Sequence, residues 1–202
     1  MSENKILPCL SPLLLCCFFF ASLAQAASVP IDTQGSTLTI HVFKSGLFSG
    51  FAHDHEIAAP LSSGSVDAAA LAVECRFDAR RLAVLDREAS AGERAKIEET
   101  MRSAKVLDVE RFPEIAFISR KVQPTGGNKY DVTGDLTLHG VTHTLTFSVV
   151  LATHHYKGTV RLKQSDFGIT PISLAGGSVK VKDTVEIGFD VVPSTLTPQR
   201  SE

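Results

Sequence analysis

Apolar and polar residues alternate along most of this chain. Between Tyr130 and Leu138, the residues Tyr130, Val132, Gly134, Leu136 and Leu138 share one side, and Asp131, Thr133, Asp135 and Thr137 share the other. A period of two is that of a half-buried strand. His139-Gly140 then permits a turn, and a second run sets Leu145, Phe147, Val149 and Leu151 opposite Thr144, Thr146 and Ser148. Together the runs predict a long antiparallel hairpin with one apolar face and one threonine-rich face. A lone hairpin is marginal in water, so the apolar face must meet more sheet.

The same alternation recurs elsewhere. Thr37 to Phe43 sets Leu38, Ile40 and Val42 against Thr39, His41 and Phe43, without saying which set faces inward. The glycine-broken segment Lys44 to Phe51 follows, a pattern typical of a bulge or sharp bend, and His53-Asp54-His55-Glu56-Ile57 extends to a break at Pro60 to Gly64. Leu71, Val73, Cys75 and Phe77 form an inward row, and Cys75 on that parity reads as a small buried hydrophobe. A further strand spans Ile115 to Val122, and Val160 and Leu162 oppose Arg161 and Lys163. The last strand carries Val179, Val181, Asp183, Val185, Ile187, Phe189 and Val191 on one side, where Asp183 marks either a rim position or a bulge. One helix is expected from Gly92 to Ala104: Ser90 with Glu93 fits a capping box, and Ile97, Met101 and Ala104 make a narrow stripe suited to a lid or plug. About eight short-spaced strands and one helix predict an all-β, antiparallel eight-stranded barrel with one α-helix.

The chain ends change the picture. Leu13 to Ala24 is apolar, Lys5 precedes it, and Ala24-Gln25-Ala26 fits a cleavage site, so residues 1–26 read as a signal peptide, 27–192 as the barrel domain and 193–202 as a disordered tail. The apolar run is too short to span a bilayer, and no stable membrane insertion is expected. Three of the four cysteines leave with the signal, so only Cys75 remains and no intrachain disulfide is available. A formal charge of −2 with no basic run argues against nucleic acid.

The sharpest chemical feature is His53-Asp54-His55-Glu56. In an extended strand His53 and His55 share a face, while Asp54 and Glu56 point away. Two imidazoles do not complete a zinc site, and the spacing of His41, His139, His143, His154 and His155 does not bring a third ligand to them. His139 and His143 flank a hairpin turn, where polar residues are usually solvated. Surface or loop-packing roles are preferred for His53 and His55, with a metal-binding protein built on the pair as the alternative. No G-x-S-x-G, C-x-x-C or H-E-x-x-H occurs, and the chain is read as a non-enzyme without cofactor.

Four segments, LTLHGVTHTLTFSV, ERFPEIAFIS, SDFGI and VKVKDTVEIGFDV, resemble the YceI-like family in order and over nearly the whole mature chain. Arg102-Ser103, Asp108 and Phe112-Pro113 also match that family's pattern. Ala104-Lys105-Val106-Leu107 replaces a more aromatic run, and KSGLFSGFAHDHEI looks like a sub-branch, which leaves chain length and head group of the ligand open. The resemblance implies a lipocalin-like barrel exported to the periplasm, whose lumen holds a polyisoprenoid or other long-chain fatty amphiphile. On that expectation the lining comprises Val73, Phe77, Phe117, Leu136, Leu138, Phe147, Val149, Val185, Ile187 and Phe189, with Phe43, Phe48 and Phe51 as mouth or lumen contacts. Parity tells which side these residues face. It does not tell whether the rings fill the barrel or leave it hollow. A homodimer is compatible with the sequence, which carries no mark of one.

Overall fold

The structure is a computed structural model that describes residues 28–45, 54–174 and 179–194. The expected signal peptide, Phe48, Phe51, His53 and residues 195–202 lie outside the described residues. The strands are β1 (Val29–Pro30), β2 (Thr37–Ser45), β3 (His55–Ala58), β4 (Leu61–Asp67), β5 (Ala72–Asp78), β6 (Ala83–Val84), β7 (Glu114–Gly126), β8 (Lys129–Leu138), β9 (Val141–Ala152), β10 (His155–Lys163), β11 (Ser173–Leu174) and β12 (Val179–Val191). Among the described residues one α-helix, α1, covers Ala91–Arg102.

All pairings are antiparallel, in the order β1-β4-β5-β7-β8-β9-β10-β12-β2-β3-β6, with β11 attached to β12. The sheet curls into a half-barrel of 11 strands in sequence of pairing, not the expected eight. Part of the surplus comes from β1 and β6, two-residue strands too short to show alternation. The rest is β4, which runs through part of the Pro60 to Gly64 stretch expected as a break: after Ala59-Pro60 the chain stops pairing with β2 and starts pairing with β5. Proline has no N–H for a ladder, which favours a break there. The open ends are partly tied, because Ile31 bridges Pro193 and the Ser194 N–H donates to Pro30 O at 2.7 Å.

Strand parity follows the hydrophobic pattern. The β8–β9 hairpin turns at His139 and Gly140, both with positive φ (52° and 73°), the conformation of a two-residue turn matched to strand twist. Leu38, Ile40 and Val42 prove to be the inward set of β2, since they pack against the core. Phe43 therefore has the opposite parity. In β12 the register slips between Val181 and Val185, so Asp183 sits in a bulge and accepts from Ser165 N–H (2.8 Å) and Ser165 Oγ–H (2.6 Å). Those two donors hold its carboxyl below the usual carboxylate range.

Ser90 caps α1 as expected, with the reciprocal contacts to Glu93 both formed. The helix ends at Arg102, however, and Ala104 is exposed outside it. Ser103 Oγ–H donates to Thr100 O and the chain turns under Asp108 at φ 45°, which buries Leu107 and Val109 in place of a further helical turn. Glu98 Oε1 accepts the Val84 N–H at 2.9 Å and Arg102 Nη2 donates to Leu82 O at 2.7 Å, so α1 is hydrogen-bonded onto β6 at one end of the sheet.

Glycine placement decides how the aromatic side chains lie. Across β7, β8, β9, β10 and β12, inward positions alternate as Phe117, Gly134, Phe147, Gly158 and Phe189. A Cβ on Gly134 would stand 2.4 Å from Phe117 Cζ, and one on Gly158 would stand 2.5 Å from Phe189 Cζ and 2.7 Å from Ser148 O. Two of the rings thus rest over the glycines of neighbouring strands. Phe147 links them, with centroids 5.4 Å from Phe117 and 5.7 Å from Phe189. Substituting Gly158→Ala forces the Phe189 ring off the wall, with no relief from the fixed carbonyl beside it. The expected loss is about 1–3 kcal/mol of unfolding free energy in urea titration, and an unchanged midpoint would contradict this account.

Candidate functional site

Within the curled sheet is a cavity of about 1320 Å³. Its size exceeds the roughly 300–1,000 Å³ of ordinary small-molecule sites. Leu38, Ile40 and Val42 from β2, Val132, Leu136 and Leu138 from β8, Leu145, Phe147 and Val149 from β9, and Val185, Ile187 and Phe189 from β12 wall it. Val73, Cys75 and Phe77 from β5 and Phe117 from β7 complete the sheet side, and Ile97 and Met101 close it from α1. Alternation puts each strand's odd or even set on this one surface. The lumen is hollow because the rings of the Phe117–Phe147–Phe189 row lie against the wall.

One end is closed by the SDFGI segment. Its turn brings Phe167, fully buried, and Ile169 into the core, with Gly168 at φ 71°. His139 Nδ1 lies 3.1 Å from Phe167 O, and the His139 ring meets Phe112 at 4.8 Å, whereas His143 meets the Phe167 ring edge-on at 5.2 Å. His139 is thus half-buried and engaged, not the solvated turn residue expected from its position. A Cβ on Gly140 would strike Phe112, which explains the need for glycine beneath that aromatic.

Every described residue expected to line the lumen does border the cavity: Val73, Phe77, Phe117, Leu136, Leu138, Phe147, Val149, Val185, Ile187 and Phe189. Phe43 borders it too, despite its outward parity, and its ring carries the Lys182 ammonium at 5.6 Å. Phe48 and Phe51 fall outside the described residues. Several lining residues escaped the sequence reading: Tyr130 and Tyr156 from β8 and β10, Leu82 before β6, Gln164 and Ile172 around the capping turn. Tyr130 stood in the apolar row of its strand without being counted as lining, and Tyr156 shares the parity of Val160 and Leu162. The others sit in turns, where no periodicity marks the facing side.

The polar part of the wall gathers near the start of β3. Asp54 Oδ1 accepts the Lys44 N–H at 2.8 Å, and Asp86, in the 85–90 loop, meets His55 Nδ1 at 2.6 Å and accepts the Glu56 N–H at 2.8 Å. Arg94 of α1 donates to the carbonyls of Asp86 and Ala89, which fixes that loop to the helix. Asp54 and Glu56, next to His55 in the chain, were expected to point away from its face. The acid is Asp86, distant in sequence and in an unpatterned loop, so nothing local could reveal it. No group of three or more histidine, cysteine, aspartate or glutamate side chains suited to a metal occurs among the described residues, to which His53 does not belong. His155 is committed elsewhere, 2.6 Å from Asp190 on the outer face.

A family model described as a YceI-like domain matches residues 30–192. A UPF0312 protein of Vibrio parahaemolyticus is 31% identical over 164 residues, which cover 72% of this chain and 79% of that protein. A UPF0312 protein of Pseudomonas putida is 39% identical over 85 residues, covering 37% of this chain and 44% of the relative. Among solved structures, Burkholderia cenocepacia BcnA has the same fold with a TM-score of 0.61 at 22% identity, covering 81% of this chain and 99% of BcnA. A polyisoprenoid binding domain from Saccharophagus degradans, implicated in plant cell wall breakdown, matches with a TM-score of 0.56 at 15% identity over 82% of this chain and 97% of that domain.

Cys75 reports on the dryness of the wall. Burial, assisted by the Glu74 charge, pushes its thiol from 9.0 up to about 12. Because the folded value is the higher one, the stabilisation is complete below about pH 9 and is lost as pH rises toward 12. Unfolding free energy is therefore expected to fall across that window, and Cys75→Ala to flatten the fall. Maleimide at neutral pH should label Cys75 only after denaturation; rapid labelling of the native protein would show a wet cavity.

Proposed function

This chain belongs to the YceI-like family, and from that premise we propose that it is an exported carrier that holds one long-chain apolar ligand, a polyisoprenoid or similar amphiphile, inside its half-barrel. The observation that carries this reading is the hollow lumen of about 1320 Å³ walled by aliphatic and aromatic side chains. The driving force is partition. Each methylene removed from water contributes about 0.8 kcal/mol, so roughly ten of them give about 8 kcal/mol before the costs of ordering the chain and losing its freedom. Binding of this kind needs no reacting group, only apolar area and a wall that keeps its shape when empty.

Wall rigidity is supplied by the sheet and by the glycine-seated rings, which pre-form the cavity and avoid an ordering cost on binding. The polyisoprenoid-binding description of the Saccharophagus degradans domain, on the same fold, supports an isoprenoid class of ligand. Export is read from the apolar run and the Ala24-Gln25-Ala26 site, and the resemblance to the YceI-like family makes the periplasm the proposed compartment. Among the described residues the only cysteine is the free, buried Cys75, so cysteine use does not oppose this placement.

Mass spectrometry of solvent extracts from gently purified protein is the direct test, and a long-chain isoprenoid or fatty species at near-equimolar amount is the expected result. Ile187→Trp, which fills lumen volume at a site bordering the cavity, should displace about two methylenes of chain and weaken long-chain uptake about tenfold. Empty protein that also refuses added isoprenoids would end the carrier reading. Intact mass of protein recovered from the periplasmic fraction should correspond to a chain beginning at Ala27 or Ser28; a cytoplasmic chain retaining Met1 to Ala26 would refute the export step.

A further inference from the structure

His55, paired across from Val42 of β2, borders the cavity on the face of β3 that also carries Ile57. Its imidazole is 28% exposed and its partner, the Asp86 carboxylate, only 8%. Both carboxylate oxygens are occupied, Oδ2 by His55 Nδ1 and Oδ1 by the Glu56 N–H. An ionised carboxylate can only accept, so the proton of the 2.6 Å contact belongs to Nδ1. In the neutral ring this fixes the tautomer and leaves Nε2 with a lone pair. The ring atom left for a ligand is thus an acceptor, positioned on a wall that is otherwise mostly hydrocarbon.

The charges around the ring narrow the class further. Cationic side chains border the cavity too, Lys44, Lys96 and Lys180 among them, but the groups bonded to His55 or adjacent to it in the chain are acids: Asp86, Asp54 and Glu56. An anionic head placed at Nε2 would meet a lone pair, on a ring whose other nitrogen already faces the Asp86 carboxylate. A neutral head group with only acceptors, an ether, ester or ketone, would leave Nε2 unpaired where water is scarce, which a dry site penalises. A hydroxyl satisfies the nitrogen and adds no charge.

Resting on the carrier reading, we propose that His55 is the head-group contact of the cavity and that the ligand class is a long-chain alcohol, whose O–H donates to His55 Nε2. Asp86 acts as a positioning residue: it sets the tautomer and, through the Glu56 N–H and the Arg94 contact to its carbonyl, holds the ring relative to β3 and α1. The hydrocarbon tail supplies most of the affinity, and this one hydrogen bond supplies the selection between head groups.

The test compares geranylgeraniol with its methyl ether, which has the same tail and no donor, by competition against a fluorescent fatty probe on the full mature chain. Wild-type protein should prefer the alcohol by about tenfold, the worth of one net hydrogen bond in a dry site. His55→Leu should abolish the preference, because the alcohol loses its acceptor and the ether no longer leaves a nitrogen unpaired; continued uptake of the ether shows that the variant is folded. Asp86→Asn presents an amide N–H to Nδ1 and moves the ring proton to Nε2, so it should reverse the preference toward the ether, an outcome that mere loosening of the loop would not produce. Equal binding of the two probes by wild type, or a preference that survives His55→Leu, overturns the assignment while leaving the carrier reading intact. If His55→Leu fails to fold, Asp86→Asn decides, and an unreversed preference overturns it. Uptake of neither probe by wild type overturns the carrier reading and this one with it.

Discussion

The hollow centre depends on where glycine stands relative to phenylalanine. Five neighbouring strands present Phe117, Gly134, Phe147, Gly158 and Phe189 toward the lumen, and Phe117 and Phe189 reach sideways over a missing Cβ. With any side chain at Gly134 or Gly158, those rings would have to stand up into the cavity. Protein interiors ordinarily close to crystal-like density, so a void of this size needs a specific cause. Here the cause is steric, and it acts through residues that contribute no apolar surface of their own.

A second constraint holds the open side. Curling the sheet leaves β6 and β1 as ends, each with unpaired backbone groups that must be managed. Glu98 and Arg102 of α1 supply side-chain partners to the Val84 N–H and the Leu82 carbonyl beside β6, and the Ile31–Pro193 bridge ties the other end to the close of β12. The helix therefore does two jobs with two faces of few residues: Ile97 and Met101 extend the apolar wall, and Glu98 and Arg102 hold the edge. Between helix and edge strand, the 85–90 loop carries Asp86 into the wall against His55. The polar contact of the cavity is thus anchored to the element that closes it.

Much of this was legible in the chain because period-two patterning and a half-buried sheet are the same fact seen twice. The parity of β5, β8, β9, β10 and β12 follows from their residues, and the capping box places the start of α1 correctly. The end of α1 was not legible, since Ala104 continues the stripe in sequence while Asp108, with its positive φ, draws the chain away to bury Leu107 and Val109. Strand number was misjudged because a proline break and two-residue edge strands carry no period. For the candidate site, parity supplied the wall residues, yet the inner side of β2 stayed ambiguous until its packing was seen, because both of its rows contain large apolar side chains.

By itself, then, the sequence determined the class of fold, the residues that face inward and the resemblance through which a ligand class could be anticipated. All three rest on local chemistry: alternation, turn residues and caps are properties of near neighbours. Whether the inward rings fill the barrel was decided only in three dimensions, since Gly134 and Gly158 matter through strands beside them and not through the residues next to them. The pairing of His55 with Asp86 was decided there too, because a hydrogen bond between a strand and a distant unpatterned loop leaves no periodic trace in either.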